Sequence, residues 1–199
     1  ERANFAERAA EEGKTGNSVL LDRNAVTYLE GHREIPCEEQ GGIYFLNRNK
    51  LSLYKPDSNE LTEVHQFDNV QDVYVANDRL YILDRSSNIT IYNLLTQQEE
   101  KKLQYGDHAS SIGADSKGRI YLAESNGNGD DYDLYLLSPE GTLLSQALSE
   151  EAVYGFCGFD ESNGNYYVDT YNNWRYWGYD HDMHALRAGN VTGDQLTFH

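Results

Sequence analysis

Cysteine, methionine and proline are scarce, with two, one and three residues among 199. The two cysteines, Cys37 and Cys157, make neither a CxxC pair nor a zinc ligand set, which excludes a thiolate zinc site. No apolar run approaches the roughly 20 residues that span a bilayer, so this segment is not expected to insert into a membrane. Positive charge is also short: 16 Lys and Arg stand against 33 Asp and Glu, for a net charge of −17 and a pI near 4.6. A phosphate backbone or an anionic lipid surface would repel such a chain, which argues against nucleic acid and for cationic or neutral partners. Missing too are a G-x-S-x-G elbow, a phosphate-cradling glycine loop, an H-E-x-x-H pair and a Ser/His/Asp order. His32, His65 and His108 stand alone in polar surroundings.

What is present is a tyrosine-rich globular composition. Apolar residues make up 39% of the chain, and 16 of its aromatic side chains are tyrosine. A chain of this length suits one domain burying roughly 70% of its unfolded surface. Low lysine with abundant Asn, Tyr and Gly favours an exported, extracellular or cell-surface protein. Ala3, Phe5, Ala6, Ala9 and Ala10 among charges are compatible with a helix, predicting a helical or disordered stalk over residues 1–17 ahead of a domain at 18–199.

That domain is a repeat. An apolar segment centred on tyrosine recurs as Ile43-Tyr44-Phe45-Leu46, Leu80-Tyr81-Ile82-Leu83, Ile120-Tyr121-Leu122-Ala123 and Tyr166-Tyr167-Val168-Asp169, with Tyr-to-Tyr steps of 37, 40 and 46 residues. Each is followed by a second strand-like run: Leu51–Tyr54, Ile89–Tyr92, Leu134–Leu137 and Tyr176–Tyr179. Asn/Gly/Asp/Ser clusters between the two runs predict hairpins. In three repeats an inner run precedes the tyrosine segment, at 73–78, 111–116 and 156–161. Its small residues suit close packing, and its closing Asn or Asp starts a turn by bonding its own backbone. A weaker outer run follows at 61–67, 100–105 and 142–148. Four strands per roughly 40 residues predict an all-β chain of four-stranded antiparallel propeller blades near 32–68, 69–106, 107–149 and 150–199. A partial hairpin over 19–29 precedes them. Four blades make either a small closed ring or the arc of a larger one, completed by further blades or by self-association. Cys37 and Cys157 fall at inner positions of the first and last blades, where a bridge would close a four-bladed circle. Repeats that look like those of larger rings favour two unpaired thiols instead.

Ala114-Asp115-Ser116-Lys117-Gly118-Arg119-Ile120-Tyr121-Leu122-Ala123 resembles the inner hairpin of NHL-repeat and gluconolactonase-type propellers, and Val75 to Asp84 is a shorter version of it. The resemblance implies a propeller. It also raises the alternative of a metal-dependent lactonase or related hydrolase, with Glu, Asn and Asp side chains in a central channel. No matching set of those residues emerges from the inner runs.

Three constellations carry the remaining chemistry. Glu124, Asn126, Asn128, Asp130, Asp131 and Asp133 put six oxygen-bearing side chains within ten residues, a candidate calcium loop that otherwise reads as a solvated hairpin tip. His181-Asp182-Met183-His184 offers two imidazoles, but it fits the polar turn after the last hairpin better than a metal site. Trp174, Arg175, Tyr176, Trp177 and Tyr179 form the densest aromatic stretch, with Trp174 and Tyr176 expected on one strand face and Arg175, Trp177 and Tyr179 on the other. Flat apolar rings beside Asp and Asn are what a glycan or peptide site needs, and equally what blade-to-blade packing needs. The expectation is a non-catalytic exported module binding a protein or glycan, with the hydrolase and a plain structural spacer as alternatives.

Overall fold

The computed structural model describes residues 33–37, 40–126, 132–176 and 179–198, with backbone alone at 33, 34, 36, 37, 172–176 and 179–183. The stalk over 1–17, the hairpin over 19–29 and His32 lie outside these residues. Sixteen strands form four antiparallel sheets, each with its strands in sequence order. The first holds β1 (Arg33–Cys37), β2 (Gly42–Asn47), β3 (Lys50–Lys55) and β4 (Glu60–Gln66). The second holds β5 (Val70–Ala76), β6 (Arg79–Asp84), β7 (Asn88–Asn93) and β8 (Gln98–Gln104). The third holds β9 (Ala109–Ala114), β10 (Ile120–Ser125), β11 (Tyr132–Leu137) and β12 (Leu143–Ser149). The fourth holds β13 (Ala152–Asp160), β14 (Asn165–Tyr176), β15 (Tyr179–Thr192) and β16 (Gln195–Phe198). This is the blade pattern expected from the repeat, with an inner strand in the first sheet that the repeat alone did not reveal.

The chain divides into two compact units, Glu1–Phe67 and Asp68–His199. In the first, the two-residue turn at Arg48-Asn49 sets the β2–β3 register, and Tyr44, Leu51 and Leu53 are buried. In the second, β9 packs between β5 and β13, so three inner strands lie side by side. The third sheet is packed on both faces. Ile112, Ile120, Leu122 and Leu137 join Tyr81, Leu83, Ile89 and Ile91 of the second sheet. Tyr121, Ala123, Leu134 and Leu136 join Val153, Phe156, Tyr166 and Val168 of the fourth. Burial on both faces explains why these strands read as continuous apolar runs rather than alternating ones. The small inner residues do what their size suggests: a Cβ added at Gly113 would stand 2.8 Å from Phe156 Cβ.

The inner turns are built by acids. Asp115 Oδ1 accepts the backbone N–H groups of Lys117 and Arg119, both at 3.0 Å, and Asp160 Oδ1 accepts that of Ser162 at 3.1 Å. Asn77 departs from this expectation. The second sheet turns on Asn77 and Asp78, both at positive φ as a tight hairpin demands, and Asn77 Nδ2 reaches across to the Asp115 carbonyl at 2.8 Å. At the same end Ser116 N–H donates to Glu161 at 2.8 Å. The inner turns of the second, third and fourth sheets therefore cluster at one end. The β10–β11 and β14–β15 connections consequently share the opposite end.

The fourth sheet corrects the sequence reading. Its second strand is not Tyr176–Tyr179: β14 runs on to Tyr176 and pairs with a 14-residue β15 that starts at Tyr179. His181–His184 is therefore inside β15 rather than in a turn. Tyr176 and Tyr179 are register partners across the hairpin, so the single-strand alternation expected over 174–179 stops at Tyr176.

Candidate binding site

The β14–β15 hairpin is twice the length of its counterparts. β10 and β11 have six residues each, whereas β14 and β15 have 12 and 14. β13 accompanies β14 only as far as Tyr171, and β16 pairs with β15 only from Gly189 to Thr192. The five pairs from Asn172↔Met183 to Tyr176↔Tyr179 thus form a ribbon that runs past the inner strand β13. At about 3.4 Å per residue it projects about 17 Å. Trp174, Arg175 and Tyr176 lie on one strand of this ribbon and Tyr179 on the other, while Trp177 lies outside the described residues. The structure thus brings four of the five expected aromatic-site positions to one element.

At the base of the ribbon stands a platform that the sequence did not announce. Tyr154, Tyr171 and His184 come from three neighbouring strands and touch pairwise, with ring centroids 5.4, 5.5 and 5.2 Å apart. Tyr154 is 59% exposed, and His184 Nδ1 lies 3.2 Å from Asp169 Oδ1. Tyr171 was within reach of a sequence argument as part of the aromatic stretch. His184 was named there only as half of an imidazole pair, and Tyr154 not at all, because their meeting with Tyr171 depends on register: Ala152 opposes Tyr171, Tyr171 opposes His184, and a bulge between Val153 and Gly155 shifts the inner strand. Beside the platform, Arg187 grips Glu151 with two hydrogen bonds of 3.0 and 2.7 Å, and the Thr170 hydroxyl donates to the same carboxylate at 2.6 Å. That pairing holds the Arg187 guanidinium above its ordinary pKa.

Three residues of the acidic loop, Glu124, Asn126 and Asp133, fall among those described. Glu124 Oε1 accepts the backbone N–H groups of Asp107 and His108 at 2.9 and 2.7 Å, fixing the link that enters the third sheet. Asp133, its register partner, accepts from Gln146 Nε2 at 2.8 Å. Asn126 is exposed beside them, and Asn128, Asp130 and Asp131 lie outside the described residues. Burial, then the charges of Asp133 and Glu124, push the Tyr135 phenol up to about 12. Among the described residues no three His, Cys, Asp or Glu side chains gather as a metal site would require. Cys157 carries a free, exposed thiol, and the Cys37 side chain lies outside the described set. No helix among the described residues is long and apolar enough to cross a membrane.

No family model and no curated protein matches this sequence. Solved structures do. The chain is similar to the N-terminal domain of Nup159, with a TM-score of 0.51 at 12% identity over 79% of this chain and 44% of that one. It is similar to the WD40 domain of Neurospora crassa Pan2, with a TM-score of 0.53 at 8% identity over 82% and 49%. It is also similar to the WD40 domain of Toxoplasma gondii coronin, with a TM-score of 0.54 at 13% identity over 79% and 41%. With four antiparallel four-stranded sheets on the page, these likenesses establish a β-propeller fold. The chain spans less than half the length of each of these structures.

Proposed function

We propose that this chain is a non-catalytic β-propeller module, working outside the cytoplasm, that binds a protein or glycan through the β14–β15 ribbon. One observation carries the reading: a hairpin that outruns its inner strand β13 by five residue pairs bears the chain's densest aromatic stretch. A ribbon with no inner strand beside it adds little to the ladder of the sheet, and aromatic residues on it suit recognition of a ligand. Large, stiff rings are the side chains that dominate binding surfaces. Propellers lend themselves to this use, and Nup159, one of the structural neighbours, is seen in a complex with S. cerevisiae Dbp5. The Tyr154–Tyr171–His184 platform would extend the contact to the ribbon's base. The six-residue acidic set, Glu124 to Asp133, would serve as an accessory calcium loop at the same end of the sheets.

The test is a selection on immobilised protein with a displayed peptide library and a glycan array, repeated with the Trp174→Ala/Trp177→Ala double variant. Hits lost by the variant while its melting temperature moves by less than about 2 °C support the reading. Hits unaffected by the variant, or a large fall in melting temperature, would assign the indoles to other work.

A further inference from the structure

We propose that the groove between the second and third sheets, at the inner-turn end, takes a single carboxylate side chain from an otherwise uncharged segment of a partner protein. The groove holds about 320 Å³, at the lower end of what ligand pockets offer, and Asn77, Arg79, Tyr81, Lys101, Lys117 and Gly118 line it. It belongs to the unit Asp68–His199 and lies opposite the end that carries the β14–β15 connection. It is therefore separate from the ribbon, and neither reading depends on the other.

The internal repeat points to the occupant. In the third sheet, Arg119 Nε at 2.7 Å and the Tyr121 hydroxyl at 3.0 Å converge on one buried carboxylate, Asp115. The second sheet repeats the arginine and the tyrosine as Arg79 and Tyr81 but sets an amide beside them: Asn77 Nδ2 donates to the Tyr81 hydroxyl at 3.4 Å. Arg79 turns to Glu100 instead, with bonds of 2.6 and 3.2 Å. The Tyr81 hydroxyl hydrogen has no acceptor among the described residues, although the side chain is only 2% exposed. A Cβ added at Gly118 would stand 3.8 Å from that hydroxyl oxygen, which puts the donor at the groove wall. Between the third and fourth sheets, where Asp115 and Arg119 line the corresponding space, only about 20 Å³ is left. A ligand carboxylate in the larger groove would supply from outside the acceptor that Asp115 supplies from within. Charge agrees: three cations face one carboxylate, Glu100, in a chain of −17. Lys101 Nζ donates to the Pro139 carbonyl at 2.7 Å and stands 3.9 Å from Glu140. The Lys117 ammonium is exposed and has no partner among the described residues. Charge-assisted bonds to a carboxylate are the stronger class of hydrogen bond. The net charge opposes a polyanion, so the segment carries one acid among uncharged residues rather than an acidic tract.

Amide NMR shifts of the isotope-labelled chain test this, in titrations with acetyl-Ala-Ser-Glu-Ser-Ala-amide. Counterparts with Gln or phosphoserine in place of Glu, and sodium acetate, run alongside. Saturation in the millimolar range is expected for the Glu peptide, with shifts at Asn77, Tyr81, Lys117 and Gly118, and about tenfold weaker binding for the Gln peptide. Tyr81→Phe and Lys117→Glu should each weaken the Glu peptide several-fold, and Asn77→Asp, which sets an acid beside Tyr81 from within, should abolish its binding. Should Asn77→Asp unfold, the exposed Lys117→Glu keeps the test intact. Trp174→Ala/Trp177→Ala should leave this binding unchanged. Equal binding of the Gln peptide, no saturation by about 20 mM, or indifference to both Tyr81→Phe and Lys117→Glu would overturn the proposal. So would tighter binding of the phosphoserine peptide, which would assign the groove to phosphate, or acetate binding as tightly as the Glu peptide, which would assign it to a small free acid.

Discussion

The β10–β11 and β14–β15 hairpins occupy the same place in consecutive sheets and are built for different ends. In the third sheet, Ile120 and Leu122 on one face and Tyr121 and Ala123 on the other are all buried, and the hairpin stops near the limits of its neighbouring strands. In the fourth, Tyr166 and Val168 are buried against the third sheet, but Tyr171, His184 and Leu186 are not, and the hairpin continues past the inner strand β13. Where packing on both sides sets a strand's length, its residues answer to the core. Where a strand outruns its supports, nothing in the core demands its residues, and they are free to serve a partner.

Breaking the packed hairpin should have the largest effect. Asp115, buried in the turn before β10, accepts Arg119 Nε at 2.7 Å and the Tyr121 hydroxyl at 3.0 Å, besides two backbone N–H groups. Asp115→Ala leaves the mostly buried Arg119 without that partner and should cost about 3–5 kcal/mol in urea unfolding. Charge reversal or deletion on the ribbon should cost a small fraction of that.

A second contrast lies within the fourth sheet. A Cβ at Gly189 would overlap the Tyr166 ring, whereas one at Gly155 meets nothing within 4 Å. Gly189→Ala should destabilise by about 1–3 kcal/mol as an overpacked site does. Gly155→Ala should be nearly neutral; equal effects would mean that Tyr166 moves aside freely.

Alkaline titration separates the two regions by their tyrosines. Burial raises the phenols of Tyr121 and Tyr166, and that of Tyr135 is pushed up to about 12. Between the unfolded value of about 10 and the raised folded values, the folded chain holds protons that the unfolded chain has released. The tyrosines' contribution to stability should therefore be constant below about pH 10 and be lost as pH rises above it. Phenolate absorbance should come in two steps, exposed tyrosines first and the buried ones with unfolding; Tyr135→Phe should reduce the fall. A single step near pH 10 with no loss of structure would contradict the packing described for the third sheet.

The smallest effect is expected at Leu186 on β15, which is 67% exposed. Leu186→Ala should change stability by less than about 0.5 kcal/mol, as for a surface position away from caps and networks. A loss of 2 kcal/mol or more would place Leu186 in a core that the exposed edge does not show.

The accuracy of the sequence reading follows the same division. The second and third sheets were legible because two-sided burial writes itself as apolar runs such as Leu80–Leu83 and Ile120–Ala123, punctuated by turn residues. The fourth was misread at its far end. A ribbon lying beyond its neighbouring strands needs no apolar face, so Asp180-His181-Asp182 carries the polarity of a turn while forming a strand. The aromatic stretch could be named as a candidate from composition, but its placement on a long hairpin followed from an inner strand that starts only opposite Tyr171. Tyr154 had no local signature and His184 was visible only as half of an imidazole pair, since register and a bulge bring both to Tyr171.

By itself, the sequence determined the all-β class, the four-fold repeat, the acids that start the inner turns of the third and fourth sheets, and the charge that repels anions. Each is a local or summed property, set by side-chain volume, backbone preference or net charge. Only the tertiary structure decided which turn bonds to which, that Asn77 reaches Asp115 rather than its own backbone, and that β14 outruns β13. Those depend on where separate strands end relative to one another, and no single segment encodes that difference.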